Sequence, residues 1–133
     1  MSKVTANQVV DPAVLMRRLN EWADGAQPRL RGPQDRFAIS SAFELIPLDE
    51  AGAPLQSEAL LVFGKDLSRR GIAFSHSEPL RYRRAVISFN HANVGCFTAE
   101  VEIAWSQLTP IGLYESGCRL IRKMPTCKVR CKA

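Results

Sequence analysis

The strongest alternation of hydrophobic and polar residues lies between residues 97 and 106. The apolar positions are Phe97, Ala99, Val101, Ile103 and Trp105, and the positions between them are mainly polar. Successive side chains of an extended strand point to opposite faces, so a period of two places the apolar set on one face. We therefore predict a β-strand here, with one buried face and one hydrated face.

Five other segments have the length and composition of short strands, and turns rich in Gly, Pro, Asn and Asp separate them. They span residues 37–46, 58–64, 72–75, 85–89 and 113–121. Six strands joined by short loops, with no helix between them, indicate an antiparallel sheet. Because closure removes exposed sheet edges, we predict a mainly β fold formed by a six-stranded antiparallel β-barrel.

An amphipathic helix is predicted ahead of the strands, over about residues 12–24. Asp11 is a favourable N-cap, and Pro12 suits the first helical position. Three apolar positions follow the i, i+4, i+7 spacing of one helix face, namely Leu15, Leu19 and Trp22. We expect this face to pack on the rest of the domain, and the alternatives are a dimer contact or contact with a partner protein.

Composition and charge are those of one globular domain with an excess of basic residues. The chain has 133 residues, of which 18 are Lys or Arg and 13 are Asp or Glu. We divide it into an N-terminal extension (1–28), a barrel domain (29–123) and a basic, cysteine-containing tail (124–133). The net charge of +5 favours anionic partners such as a nucleotide, a nucleic acid or a lipid surface.

The sequence favours a cytoplasmic location, which also bears on its cysteines. No apolar run approaches the ~20 residues of a membrane span, and the first residues lack the apolar stretch of a secretory signal. A reducing cytoplasm argues against disulfides. We expect Cys96 and Cys118 to lie in the barrel wall as small hydrophobic residues. Cys127 and Cys131 have no nearby histidine at a zinc-ligand spacing, so neither a metal site nor a cofactor is expected.

A polar, charged segment between the second and third predicted strands carries the candidate chemistry. Asp66 and Ser68 are two residues apart, so their side chains share one face of an extended backbone while Leu67 points to the other. Gly71 permits a positive φ or a close backbone approach that a Cβ would block. These groups form a polar cup that suits a flat, nitrogen-rich anion.

Two arginines, Arg69 and Arg70, add positive charge to the same segment. A simpler interpretation is an ordinary β-turn, in which Asp66 and Ser68 hydrogen-bond their own backbone and Gly71 closes the turn. The context along the rest of the chain must decide between the two interpretations.

Three features occur in an order that matches a known family. An arginine-bearing linker precedes the first strand. Residues 66–71 read Asp-Leu-Ser-Arg-Arg-Gly and match an Asp/Asn-x-Ser-x-x-Gly motif. Residues 101–105, followed by 114–120, are similar to a closing pair of strands. Over about residues 29–123 the chain therefore resembles a PilZ domain, the bacterial receptor module for cyclic diguanylate (cyclic di-GMP).

The resemblance implies a ligand site shared by the linker and the motif. Arg31 and Arg36 would clamp the nucleotide, since guanidinium groups engage phosphate oxygens or a guanine edge bidentately. Asp66 would read guanine N–H donors, Ser68 would add a hydroxyl contact and Gly71 would leave room for the ring. One of Arg69 and Arg70 could assist.

The arginine spacing departs from the family pattern. The family has Arg-x-x-x-Arg, whereas four residues separate Arg31 from Arg36 and the expected position is occupied by Gly32. The leading hypothesis is a receptor that binds cyclic di-GMP and signals to a protein effector, for which the N-terminal helix is the candidate contact. The alternative is a PilZ-like interaction adaptor that has lost nucleotide binding.

Two further function classes are less favoured. A nucleic-acid-binding barrel is suggested by residues 81–84 (Arg-Tyr-Arg-Arg) and the basic tail, but Tyr82 alone does not form a stacking platform. An enzyme is not expected, because His76 and His91 fall in turn-like stretches without an evident acid or nucleophile partner. Glu100 and Glu102 share the face predicted to be hydrated.

Overall fold

A computed structural model describes residues 11–24, 37–68, 70–91 and 94–125. It contains one α-helix, α1 (Pro12–Ala23), and a 3-10 turn (Gln56–Glu58). The seven strands are β1 (Phe37–Ala38), β2 (Ala42–Pro47), β3 (Leu60–Ser68), β4 (Gly71–His76), β5 (Arg84–His91), β6 (Gly95–Leu108) and β7 (Tyr114–Lys123).

Six of the strands form a closed antiparallel barrel in the order β3-β2-β5-β6-β7-β4, and β4 pairs back to β3. The short β1 extends the sheet by pairing with the far end of β3. The predicted mainly β fold and six-stranded barrel are therefore confirmed.

The predicted first strand, 37–46, is divided in two. Ser40 has a φ of 49°, which lies in the left-handed region and interrupts the extended backbone between β1 and β2. The N–H of Ile39 donates to the carbonyl of Lys65 (3.0 Å), and the N–H of Gly64 donates to the carbonyl of Ser41 (2.8 Å). These two bonds hold the interrupted segment against β3, so the single-strand prediction is wrong.

The barrel interior is packed around phenylalanine rings from β2, β4, β5 and β6. Phe43 stacks on Phe89 with centroids 4.3 Å apart and meets Phe74 edge-on at 5.7 Å. Phe97 contacts Phe89 at 6.3 Å. Aromatic pairs in these geometries add to the hydrophobic contribution of burying the rings, which dominates core stability.

Helix α1 covers one end of the barrel. It begins where expected, because the side chain of Asp11 accepts a hydrogen bond from the Ala13 N–H (3.0 Å). Leu15 and Leu19 are buried in the same core as the barrel interior, and Trp22 lies 6.4 Å from Phe97. The helix prediction is confirmed, and so is the expectation that its apolar face packs on the rest of the domain.

The two described cysteines differ from each other. Cys118 is buried with a free thiol, as predicted, and burial raises its pKa to about 12. Cys96 lies on the outer side of β6 and is disulfide-bonded, so the expectations of a small hydrophobic wall residue and of no disulfide are wrong. Cys127 and Cys131 lie outside the described residues.

No helix in the described ranges has the length and apolar character needed to cross a bilayer.

Candidate ligand-binding site

A cavity of about 590 Å³ opens on the outer surface of β3, β4, β6 and β7. This volume is within the range of small-molecule sites, which is roughly 300–1,000 Å³. Its lining includes Asp66, Ser68, Arg70, Gly71, Trp105 and Arg119. The cavity thus joins the motif segment to the last two strands of the barrel.

The floor of the cavity follows directly from strand register. Asp66 pairs with Ala73, Ala73 with Gly117, and Gly117 with Trp105, so these four residues form one row across four strands. The two central residues are small, which leaves a depression between Asp66 and Trp105. With strands ~4.8 Å apart, the two ends of the row are about 14 Å apart along the sheet.

The indole of Trp105 forms one side of this depression. A Cβ at Gly117 would overlap the indole ring, so the ring lies directly against the Gly117 backbone. The side chain is nevertheless 45% exposed. An aromatic ring held in this way offers a surface on which a planar group can stack.

The position of Trp105 differs from the sequence prediction, which placed it on the buried face with Phe97. The register of β6 against β7 shifts between Ile103 and Trp105, as in a β-bulge, so that Ile103 pairs with Cys118 and Trp105 with Gly117. A bulge adds one residue and moves the following side chain to the other face. Trp105 therefore points into the cavity instead of the core.

A second register shift occurs in β3, between Gly64 and Asp66. It leaves Lys65 without a partner on β4, and both Lys65 and Asp66 line the cavity. β-bulges are over-represented beside functional sites because they redirect side chains. The cavity is therefore flanked by bulges on two of its strands.

The motif residues lie where β3 turns into β4. Leu67 is 6% exposed and belongs to the core, whereas Asp66 and Ser68 line the cavity, which confirms the predicted division of faces. The Ser68 hydroxyl also accepts a hydrogen bond from the Arg70 N–H (3.2 Å), as the turn interpretation requires. The segment thus forms both a hairpin turn and a cavity wall.

Gly71 is constrained by the neighbouring strand. It has a φ of 151°, and a Cβ at this position would overlap the carbonyl oxygen of Cys118 on β7. The predicted need for a close backbone approach is confirmed, and the approaching group is β7.

The arginine linker enters the barrel beside the motif. Arg31, Arg36 and Arg69 lie outside the described residues. The first described residue after the linker, Phe37, pairs with Leu67, and Ala38 pairs with Asp66. The linker therefore joins the barrel next to the motif.

Charged groups of both signs line the cavity. The described lining contains three cationic residues, Lys65, Arg70 and Arg119, and two acidic residues, Asp66 and Glu115, which gives a net charge of +1 (three minus two). Lys65 Nζ lies 2.7 Å from Glu115 Oε2.

Arg119 is also held by a carboxylate. It donates to Glu102 Oε1 through Nε (3.2 Å) and Nη2 (3.0 Å). Sequence reasoning missed Lys65, Glu115 and Arg119 as lining residues, because only the pairing of β7 with β4 brings the two halves of the site together.

Two acidic residues were predicted on a hydrated face. Glu102 is partly exposed, but Glu100 is 6% exposed and lies 3.4 Å from Arg84 and 2.9 Å from Arg122. The two guanidinium groups compensate the buried charge, so the prediction is wrong for Glu100.

His76 was predicted to be a surface histidine in a turn without a nucleophile partner. Instead it ends β4 and is 2% exposed. Its Nδ1–H donates to the Glu78 carbonyl (2.6 Å), and its Nε2 accepts from the Ser116 hydroxyl (2.6 Å). Burial lowers its pKa, an effect that the Glu78 carbonyl partly opposes.

A neutral His76 orients a chain of hydroxyl groups. Because Ser116 donates to His76, it must accept from Ser106, whose oxygen lies 2.6 Å away. None of these three side chains lines the cavity. Within the described ranges, no group of three or more His, Cys, Asp and Glu residues is arranged to hold a metal ion.

Comparison with protein-family models, with curated proteins and with solved structures found no match to this chain.

Proposed function

We propose that this chain is a PilZ-type receptor that binds cyclic di-GMP at the cavity and signals to a protein effector in the bacterial cytoplasm. The observation that carries the proposal is the pairing of Phe37 with Leu67 and of Ala38 with Asp66. It joins the arginine linker to the barrel beside the Asp-x-Ser-x-x-Gly motif. Two sequence features that are about 30 residues apart thereby become neighbours.

The chemistry of the cavity suits a molecule with two bases and two phosphates. The Asp66 carboxylate can accept hydrogen bonds from the N1–H and N2–H of a guanine. The exposed Trp105 ring can stack on a base, a contact worth about 1–3 kcal/mol. Because Asp66 and Trp105 occupy opposite ends of one row of paired residues, both contacts can be made at the same time.

The cationic residues suit the phosphates. Arg70 lies at the hairpin end of the cavity, and Arg119 on β7 lies beside Gly71. Arg31 and Arg36 would add guanidinium groups from the linker, which could fold over a bound nucleotide. In this arrangement Arg119 supplies a positive charge that does not depend on the irregular linker spacing.

Isothermal titration of the purified chain with cyclic di-GMP tests the proposal. We expect micromolar binding that Asp66→Ala weakens at least tenfold, since a hydrogen bond to a charged group is worth about 1.5–3 kcal/mol. Arg36→Ala should weaken it by a similar factor. Glu44→Ala and Arg83→Ala are matched controls, because both residues are exposed outside the cavity lining. Absence of binding to the unmodified chain would refute the proposal.

One observation favours the adaptor as a second candidate. Leu61 and Phe63 project from β3 and are 59% and 57% exposed, which is unusual for adjacent large apolar residues on one strand. An adaptor should retain its partner when cyclic di-GMP is added and lose it in a Phe63→Ser variant. Release of the partner by the nucleotide would favour the receptor.

A further inference from the structure

The ion pair between Lys65 and Glu115 lies on the cavity wall and links β3 to β7 across β4. Their charged atoms are 2.7 Å apart, and both residues line the cavity. The two residues are 50 positions apart in the chain, so barrel closure alone creates the contact. Among the described residues that line the cavity, this ion pair joins one of the three cationic residues to one of the two acidic residues.

Solvent exposure makes the ion pair of Lys65 exchangeable. Lys65 has no partner on β4, although the Ile39 N–H donates to its backbone carbonyl (3.0 Å). Its side chain is 45% exposed, and that of Glu115 is 23% exposed. An ion pair with this much solvent access is weak, so another anion can replace one member at low cost.

A ligand phosphate is the natural replacement for the carboxylate. A lysine ammonium is a compact point charge on a flexible stem, and it binds phosphate without the directional demands of arginine. Resting on the function proposed above, we infer that Glu115 is the resting counter-ion of Lys65 and that a phosphate oxygen of the nucleotide displaces it. Lys65 is then a phosphate-binding residue, and Glu115 sets how much affinity that contact yields.

The arrangement gives the two residues opposite effects on affinity. Removing Lys65 deletes an attraction to the phosphate. Neutralising Glu115 frees Lys65 before binding and also removes a negative charge beside the incoming anion. Only the removal of the negative charge remains when Lys65 is absent, so the benefit of neutralising Glu115 should be larger when Lys65 is present.

A double-mutant cycle with cyclic di-GMP as the titrant tests this dependence. At low ionic strength we expect Lys65→Ala to lower affinity about tenfold, the loss of one charge-assisted hydrogen bond. Glu115→Gln should raise affinity about two- to fivefold, the value of an exposed ion pair. In the Lys65→Ala background, the gain from Glu115→Gln should be smaller than in the unmodified chain. The gain from Glu115→Gln should shrink in 0.5 M salt, because ions screen exposed charges.

Two controls carry the same charge changes outside the cavity. Glu44→Gln and Lys123→Ala alter exposed residues that do not line it, and both should leave affinity unchanged. Equal gains from Glu115→Gln and Glu44→Gln would overturn the inference and indicate a general charge effect. A gain from Glu115→Gln that is as large without Lys65 as with it would also overturn it. If the unmodified chain binds no cyclic di-GMP, the proposed function and this inference fail together, whereas unaltered binding by Lys65→Ala refutes the inference alone.

Discussion

Replacing Gly71 by alanine tests the backbone geometry on which the candidate site depends. The residue has a φ of 151°, and a Cβ would overlap the Cys118 carbonyl oxygen. A left-handed φ costs an L-residue about 1–2 kcal/mol, and forcing extra atoms into packed structure costs about 1–3 kcal/mol. We therefore expect Gly71→Ala to lower the free energy of unfolding by about 2–5 kcal/mol, a large share of the ~5–15 kcal/mol typical of a domain.

Gly95→Ala separates the two contributions. Gly95 also has a positive φ, 126°, but no atom lies within 4 Å of the added Cβ. Gly95→Ala should therefore lower the free energy of unfolding by only about 1–2 kcal/mol. Urea unfolding followed by circular dichroism, with the slope m compared among the proteins, measures both changes. Equal losses in the two variants would refute the close approach of β7 to Gly71.

Two further predictions follow from single side chains. His76 is buried in its neutral form with a lowered pKa, so the unfolded chain binds more protons near its ordinary pKa of 6.5. The contribution of His76 to stability should be present above pH 6.5 and decline as the pH falls below that value toward the folded-state pKa. The midpoint of urea unfolding should therefore fall with pH in this range, and His76→Gln should remove this pH dependence. The same pH dependence in His76→Gln would contradict a buried, neutral His76. Trp105→Ala should weaken cyclic di-GMP binding by about 1–3 kcal/mol, as measured by titration. The nucleotide should also quench Trp105 fluorescence in a Trp22→Phe background, and unchanged emission on saturation would exclude stacking.

The barrel and the helix could be predicted because their signals are local. Alternation along residues 97–103 and the Asp11-Pro12 start of α1 require only neighbouring residues to be read. The opposed faces of Asp66 and Leu67 follow from the same period of two. These features do not depend on which strands pair.

The parts that could not be predicted depend on pairing between distant strands. One additional residue at Ala104 changes the face of Trp105, and alternation alone contains no sign of that shift. The partner of His76 is Ser116, 40 positions away on β7, so its burial and hydrogen bonding follow from the β4–β7 pairing. Glu100 likewise depends on Arg122, which β7 brings alongside it.

The linker that contains Arg31 and Arg36 is anchored at both ends. On one side α1 is fixed in the barrel core, and on the other Phe37 is paired to β3. The Arg18 guanidinium lies 5.4 Å from the Phe37 ring centroid, so helix and strand are neighbours. The described residues on either side of positions 25–36 therefore belong to one packed unit. In the proposed receptor, binding a nucleotide through a segment whose two ends are fixed would cost less entropy than binding it through a free terminal arm of the same length.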